Sequence, residues 1–354
     1  MKNIYLQIPL KHPDISQLVL ATVTTTSGST PQKPGSSALF GQSGLISGTV
    51  GGGVLEGRVQ QIAQNALQSK ESGHFHFRLD NSMSNGEDAL CGGKISVLVD
   101  ANLNNHISVY ENIRKSSADR IPGVLITMVT NLKGEKCLIN RYWMTSDIKP
   151  PIPSEFFPKI EPEASGIISN SNPYDYRRLE LNVPGKEPSS LFFLEPVLPL
   201  PELVIAGAGH IGKALAHLGQ ILDFEVTIID DRPEFANRQN IPDAEHIIVD
   251  DIGKAMVNIK KTSDTYIVIV TRGHIDDANA LKPCIGSEAA YVGMIGSRNK
   301  VALMHDDFIR NGWATQQQWE KIFAPVGLEI KSKTVEEIAV SIAAQLVQVK
   351  NSKK

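Results

Sequence analysis

The chain is poor in cysteine: Cys91, Cys137 and Cys284 are the only three in 354 residues, too far apart to form a paired metal motif or a disulfide framework. A reducing, cytoplasmic setting is expected. Aromatic residues make up only 6%, and no apolar run is long enough to cross a bilayer, so no membrane partner is expected. The opening residues, from Met1 to Pro9, have no sustained apolar stretch of the secretory kind. Charge of one sign is also lacking: 35 basic against 38 acidic residues gives a net charge of -3, without the clustered cations that nucleic acid would require. No serine nucleophile elbow, HExxH motif, internal repeat or low-complexity run occurs.

What is present is enough apolar material, 41% of the residues, for two domains with separate cores. Eleven of the 20 prolines fall between Pro150 and Pro201. Proline removes a donor and fixes φ, so residues 144–190 are expected to be irregular, with a few embedded strands. The expected division is an N-terminal mixed α+β domain over residues 1–195, a linker over 196–201, and a C-terminal Rossmann-like domain over 202–354 with a doubly wound parallel sheet.

In the first domain, β-rich residues 18–24 run into a small-residue loop holding Gly28, Ser29 and Thr30, which supply hydroxyls and free backbone donors. The triplet Gly51-Gly52-Gly53 then opens a helix whose apolar positions Leu55, Val59, Ile62, Ala66 and Leu67 recur at helical spacing, with Glu56 in its first turn. A glycine loop at a helix start is a natural anion site. Cys91-Gly92-Gly93 places a thiol beside two glycines at a strand start, and a thiolate is a soft metal ligand.

In the second domain, the apolar strand 203–206 leads into Gly207-Ala208-Gly209-His210-Ile211-Gly212 and then an amphipathic helix, the context that a GxGxxG motif requires. Its glycines permit a tight turn and close approach of N–H groups to a phosphate. Asp230 or Asp231, at the end of the second strand, suits a ribose hydroxyl, and Arg232 suits a further phosphate, so the nucleotide stays open. Two more loops follow strands of the same sheet. One holds Thr271, Arg272, Gly273 and His274; the other holds Gly293, Gly296, Ser297, Arg298 and Lys300. Loops at C-terminal strand ends converge on one crevice, where His274 could transfer a proton or merely cap a helix.

These motifs, in this order and spacing, resemble the XdhC/CoxI family, accessory proteins that mature xanthine and carbon monoxide dehydrogenases. The resemblance rests on Gly28-Ser29-Thr30-Pro31, Gly48 to Glu56, Cys91-Gly92-Gly93, Gly207 to Gly212, Asp230 to Asn237, Thr271 to His274, Tyr291 to Arg298 and Gly327 to Ile330. Residues from about Met144 to Pro188 have no counterpart. The resemblance implies a non-enzymatic chaperone that binds molybdenum cofactor (molybdopterin), protects it, and delivers it, sulfurated, to a xanthine dehydrogenase-type molybdoenzyme. A cysteine desulfurase and a second copy of the chain are further partners it suggests. Many members carry cysteine after the glycine triplet, where this chain has Val54, so a metal-ligand role falls to Cys91. The alternative is an NAD(P)-dependent oxidoreductase working through the Rossmann motif.

Overall fold

In a computed structural model, which describes residues 4–11, 15–79, 92–170, 172, 174–183 and 186–352, the chain divides into two compact units, Met1–Pro199 and Leu200–Lys354. The first unit is built on a nine-stranded antiparallel sheet. In chain order its elements are α1 (Ile4–Lys11), β1 (Val19–Ser27), β2 (Ser37–Gly41), β3 (Gly44–Gly48), α2 (Gly53–Ser69), β4 (Gly73–Arg78), β5 (Lys94–Asp100), α3 (Ile107–Ala118), β6 (Gly123–Lys133), β7 (Lys136–Met144), α4 (Phe157–Asn170), β8 (Arg177–Val183) and β9 (Lys186–Val197). The strands lie in the order β3-β2-β1-β5-β4-β7-β6-β9-β8.

Side chains alternate across a strand, so each strand serves two faces. Val19, Ala21, Val23, Ile95, Val97 and Val99 turn to α2, whose Leu55, Val59, Ala63 and Ala66 fill that side. Leu20, Leu125 and Trp143 turn the other way, toward Tyr5 of α1 and Tyr110 of α3. The proline-rich stretch is more regular than its composition suggests, for α4 and two long strands form within it. Pro158 sits in the first turn of α4, where a missing N–H costs nothing, and Ile160, Ala164 and Ile167 form a buried stripe that holds the helix against β6 and β9 despite Pro162. Strand β9 also runs through Pro196 to Val197, into residues expected to be linker.

The second unit is a Rossmann fold. Its elements are β10 (Glu202–Ala206), α5 (His210–Ile221), β11 (Glu225–Asp230), β12 (His246–Val249), α6 (Ile252–Asn258), β13 (Thr265–Ile269), α7 (His274–Leu281), β14 (Tyr291–Met294), α8 (Arg298–Arg310), α9 (Gln316–Trp319) and α10 (Val335–Ser352). All five strands are parallel, in the order β12-β11-β10-β13-β14. Both faces are covered: Leu203, Ile205 and Val226 pack with Leu215 of α5 and Ile342 of α10, while Val204, Ile267 and Ile269 pack with Met256, Leu281, Met304 and Phe308. That two-sided burial is why the strands read as unbroken apolar runs. Helix α10 begins with a reciprocal cap, since Glu337 N donates to Thr334 Oγ1 (3.2 Å) and Thr334 N donates to Glu337 Oε2 (3.1 Å).

Candidate functional site

In the first unit, three glycine-bearing segments far apart in sequence meet. A Cβ on Gly93 would lie 2.2 Å from the Ser29 carbonyl oxygen, so the loop after β1 lies directly on the backbone entering β5. A Cβ on Gly51 would lie 2.8 Å from the Pro31 ring, which brings the glycine triplet to the same loop. Gly51, Gly52 and Gly53 all have positive φ, of 143°, 66° and 55°, a run that only glycine adopts readily. Their backbone is held from beneath. Thr49 donates its hydroxyl to Glu56 Oε2 at 2.6 Å, Val50 N donates to the same oxygen at 3.3 Å, and Gly51 N donates to Thr49 Oγ1 at 3.1 Å. Glu56 therefore fixes the loop's shape, and Thr30 likewise donates locally, to the Gln32 carbonyl.

Gly52, Gly53 and Gly92 present bare backbone, since a Cβ on any of them would meet nothing within 4 Å. Val54, in the position that many members of the resembled family give to cysteine, is 43% exposed beside them. Cys91 lies outside the described residues, immediately before Gly92. The two described cysteines are buried, which pushes each thiol up to about 12, and Cys284 also donates to the Ala280 carbonyl. Neither forms a thiolate readily.

In the second unit the strand order reverses between β10 and β13, so the loops leaving these strands flank a crevice at the switch point. They touch at its base, for a Cβ on Gly207 would lie 2.5 Å from the Val270 carbonyl oxygen. Gly209 has open space around it and is the N-cap of α5, with no side-chain hydrogen bond to the first-turn N–H groups. His210 is exposed at the start of that helix.

Asp230 departs from the ribose-binding role expected of it. Its Oδ1 accepts from Arg232 N (3.0 Å) and Nε (2.8 Å), and its Oδ2 accepts from Ala208 N (2.7 Å) and Arg232 Nη2 (2.9 Å). Four donors exhaust a carboxylate's lone pairs. Burial pushes this carboxyl up, but the Arg232 side chain and the two backbone N–H groups outweigh it and hold it below the ordinary range. Arg232 is correspondingly committed, stacked 3.9 Å over the Phe235 ring. Asp231 is more exposed and reaches across to Arg272 at 2.7 Å, a pair that spans the mouth of the crevice.

The remaining expected residues divide between lining and support. His274 begins α7, exposed, 3.8 Å from Asp307. Thr271 donates to Asp277 (2.5 Å), and Lys300 pairs with the same fully buried carboxylate, so Lys300 ties two loops together instead of standing free for phosphate. Asp277, in the first turn of α7, is thus a buttress for both loops. Ser297 caps α8, accepting from Lys300 N at 3.2 Å, next to exposed Arg298. Gly293 is buried within β14, where a Cβ would meet Val326 at 2.5 Å and the Tyr291 hydroxyl at 2.6 Å; packing accounts for it. Gly296 remains in the loop, and Gly273 caps α7.

Comparison with known proteins follows the same division. Residues 203–346 match a family model described as the XdhC Rossmann domain, and residues 16–78 match one described as the XdhC and CoxI family. The uncharacterized protein YqeB of Escherichia coli K12 is 31% identical over 43% of the chain, a match that spans only 28% of YqeB. A Bacillus subtilis protein, named as a probable subunit of xanthine dehydrogenase, is 24% identical over 99% of this chain and 98% of its own length. A solved Bacillus halodurans structure described as a xanthine dehydrogenase superposes with a TM-score of 0.79 at 24% identity, covering 100% of this chain and 97% of the other, which establishes the shared fold.

Proposed function

Because the chain belongs to the XdhC/CoxI family, we propose that it is a maturation factor for a xanthine dehydrogenase-type molybdoenzyme, carrying molybdenum cofactor as cargo and delivering it sulfurated. The observation that carries this reading is the meeting of Gly28–Pro31, Gly51–Gly53 and Gly92–Gly93 at one bare-backbone surface, with Cys91 the residue before Gly92 in the sequence. The cargo has a phosphate, a polar pterin and a soft metal centre, and these call for N–H donors, close backbone approach and a thiolate. Glycine backbone meets the first two needs. Cys91 is assigned the third, because burial holds Cys137 and Cys284 as thiols. The metal centre supplies redox chemistry only once it is in the dehydrogenase. In the carrier, Glu56 and Thr49 keep the loop in shape and Val54 leaves no second thiol beside the triplet.

The Rossmann unit offers a second anion-binding turn at Gly207–Gly212 and is assigned to a phosphate-bearing portion of the cargo or to a nucleotide. An NAD(P)-dependent oxidoreductase is the weaker reading: Asp230 has no acceptor capacity left for a ribose hydroxyl, and Asp231, the other candidate, is engaged by Arg272. A cysteine desulfurase is the sulfur donor that delivery of a sulfurated cofactor would need, and a homodimer is a further part of the proposal. Co-expression of a xanthine dehydrogenase-type enzyme with and without this chain tests the delivery role. The fraction of dehydrogenase loaded with sulfurated cofactor should rise several-fold with the chain present, and a tag on the chain should retain the immature enzyme. Equal loading in both cultures, with no retention, contradicts it.

A further inference from the structure

The first unit's sheet has a corner whose chemistry the glycine loops do not explain. Phe75 and Phe77 of β4 and Ile95 and Val97 of β5 turn to α2, which leaves His76, Arg78, Lys94 and Ser96 on the opposite face. The register sets Arg78 directly across from Lys94, and Ser27 of β1 on the other side of Lys94. Like charges directly opposite one another are destabilising in a sheet, yet both side chains are exposed and neither is ion-paired among the described residues. An anion between them would turn that repulsion into attraction.

One residue pair further in, a hydroxyl relay prepares a third donor. Thr25 Oγ1 donates to Ser96 Oγ at 2.8 Å, and Ser96 Oγ lies 2.8 Å from His76 Nδ1. With its oxygen accepting from Thr25, Ser96 still has its own proton to give to Nδ1, and in that arrangement the neutral ring carries its proton on Nε2, the nitrogen left for a ligand. Behind it, His74 Nε2 lies 2.8 Å from Thr24 Oγ1. Burial first, then the charges of His76 and Arg178, lower His74 to about 4, so it stays neutral and does not compete as a cation.

We propose that this corner is a phosphate site, in which Arg78, Lys94 and His76 Nε2, with the Ser27 hydroxyl, hold the phosphate of a phosphate monoester. The site lies where β1 and β5 adjoin the Gly28 and Gly92–Gly93 segments. Its identification with the terminal phosphate of molybdopterin rests on the cofactor reading above; the phosphate chemistry itself does not. In the sequence its only trace is the period-two alternation of His74, His76 and Arg78 against Phe75 and Phe77.

The test titrates inorganic phosphate into the full chain, followed by calorimetry or phosphorus NMR, for wild type, R78Q/K94Q, H76Q, and a charge-matched control, R114Q/K115Q, on exposed positions of α3. R78Q/K94Q should bind phosphate at least tenfold more weakly, H76Q should bind it more weakly than wild type, and the control should match wild type. The Tm of R78Q/K94Q should not fall, because the change removes a repulsion. Absence of phosphate binding to wild type, or an equal loss in R78Q/K94Q and the control, overturns the site. Pterin content measured on the same preparations separates the two ideas. Wild type that binds phosphate in this pattern but retains no pterin keeps the site and removes the cofactor reading, whereas pterin retention with phosphate binding unaffected by R78Q/K94Q does the reverse.

Discussion

Arg141→Ala is expected to destabilise the first unit by about 3–5 kcal/mol, the cost of stranding a buried charge. Arg141 and Asp100 have side chains 1% and 0% exposed, and Arg141 Nε donates to Asp100 Oδ2 at 3.0 Å while Nη1 donates to Thr127 Oγ1 at 3.2 Å. Strand β4 begins only at Gly73, so no strand separates Asp100 from Arg141 at this level and the guanidinium closes the gap between β5 and β7. Removing it leaves the Asp100 carboxylate with no ion-pair partner among the described residues. Thermal unfolding should report a midpoint lowered by on the order of 10 °C.

The same substitution has a pH signature. Glu195 accepts from Tyr5 Oη at 2.7 Å, and burial pushes its carboxyl up to about 7 against the lowering pull of that bond and of Arg141. A carboxyl raised on folding contributes stability that is complete below its unfolded value and is lost as pH rises through its folded value. Without Arg141 the carboxyl rises further, so the deficit of Arg141→Ala should stay flat up to about pH 6 and widen as pH rises through about 7, where the wild-type carboxyl ionises before the variant's. A deficit that narrows over this rise would show that Arg141 does not act on Glu195.

Gly212→Ala should be the most damaging small substitution in the second unit. Its Cβ would lie 1.9 Å from the Gly207 carbonyl oxygen, backbone against backbone, so α5 must move off the turn that it caps. A cost of about 3 kcal/mol or more is expected, above the usual range for an added methyl because no flexible side chain can yield. Gly209→Ala is the contrast: with φ of -71° and nothing within 4 Å, it should change stability by less than about 1 kcal/mol. If the turn holds a phosphate, however, the added methyl stands where the ligand approaches. Chemical denaturation paired with nucleotide or cofactor binding should therefore show Gly212→Ala losing fold and binding together, and Gly209→Ala losing binding alone. Similar midpoints for the two variants would contradict this division of labour.

These two glycines also show what can be read from sequence. Gly207 and Gly209 follow an apolar strand and precede the stripe Ile211, Leu215 and Leu218, with Gly212 inside its first turn, and the local order of those residues is sufficient to place strand, turn and helix. Local order does not reveal pairing. Asp230 and Arg232 are two apart, yet a bidentate pair that uses up the carboxylate depends on side-chain geometry, and Lys300 reaches Asp277 only because β13 and β14 are neighbours. Helix α4 was hidden for another reason: Pro158 and Pro162 are strong local signals against a helix, whereas the burial that outweighs them comes from β6 and β9. The meeting of Gly93 with Ser29 and of Gly51 with Pro31 is likewise a product of sheet order, and each segment alone reads as an ordinary turn.

The most direct measurement of the cofactor proposal is metal and pterin analysis of the full chain purified from cells that make molybdenum cofactor, for wild type and Cys91→Ala. Wild type should carry pterin and molybdenum together, and Cys91→Ala should keep pterin on the glycine backbone while losing most of the molybdenum. Wild-type protein that holds neither would contradict the role of carrier.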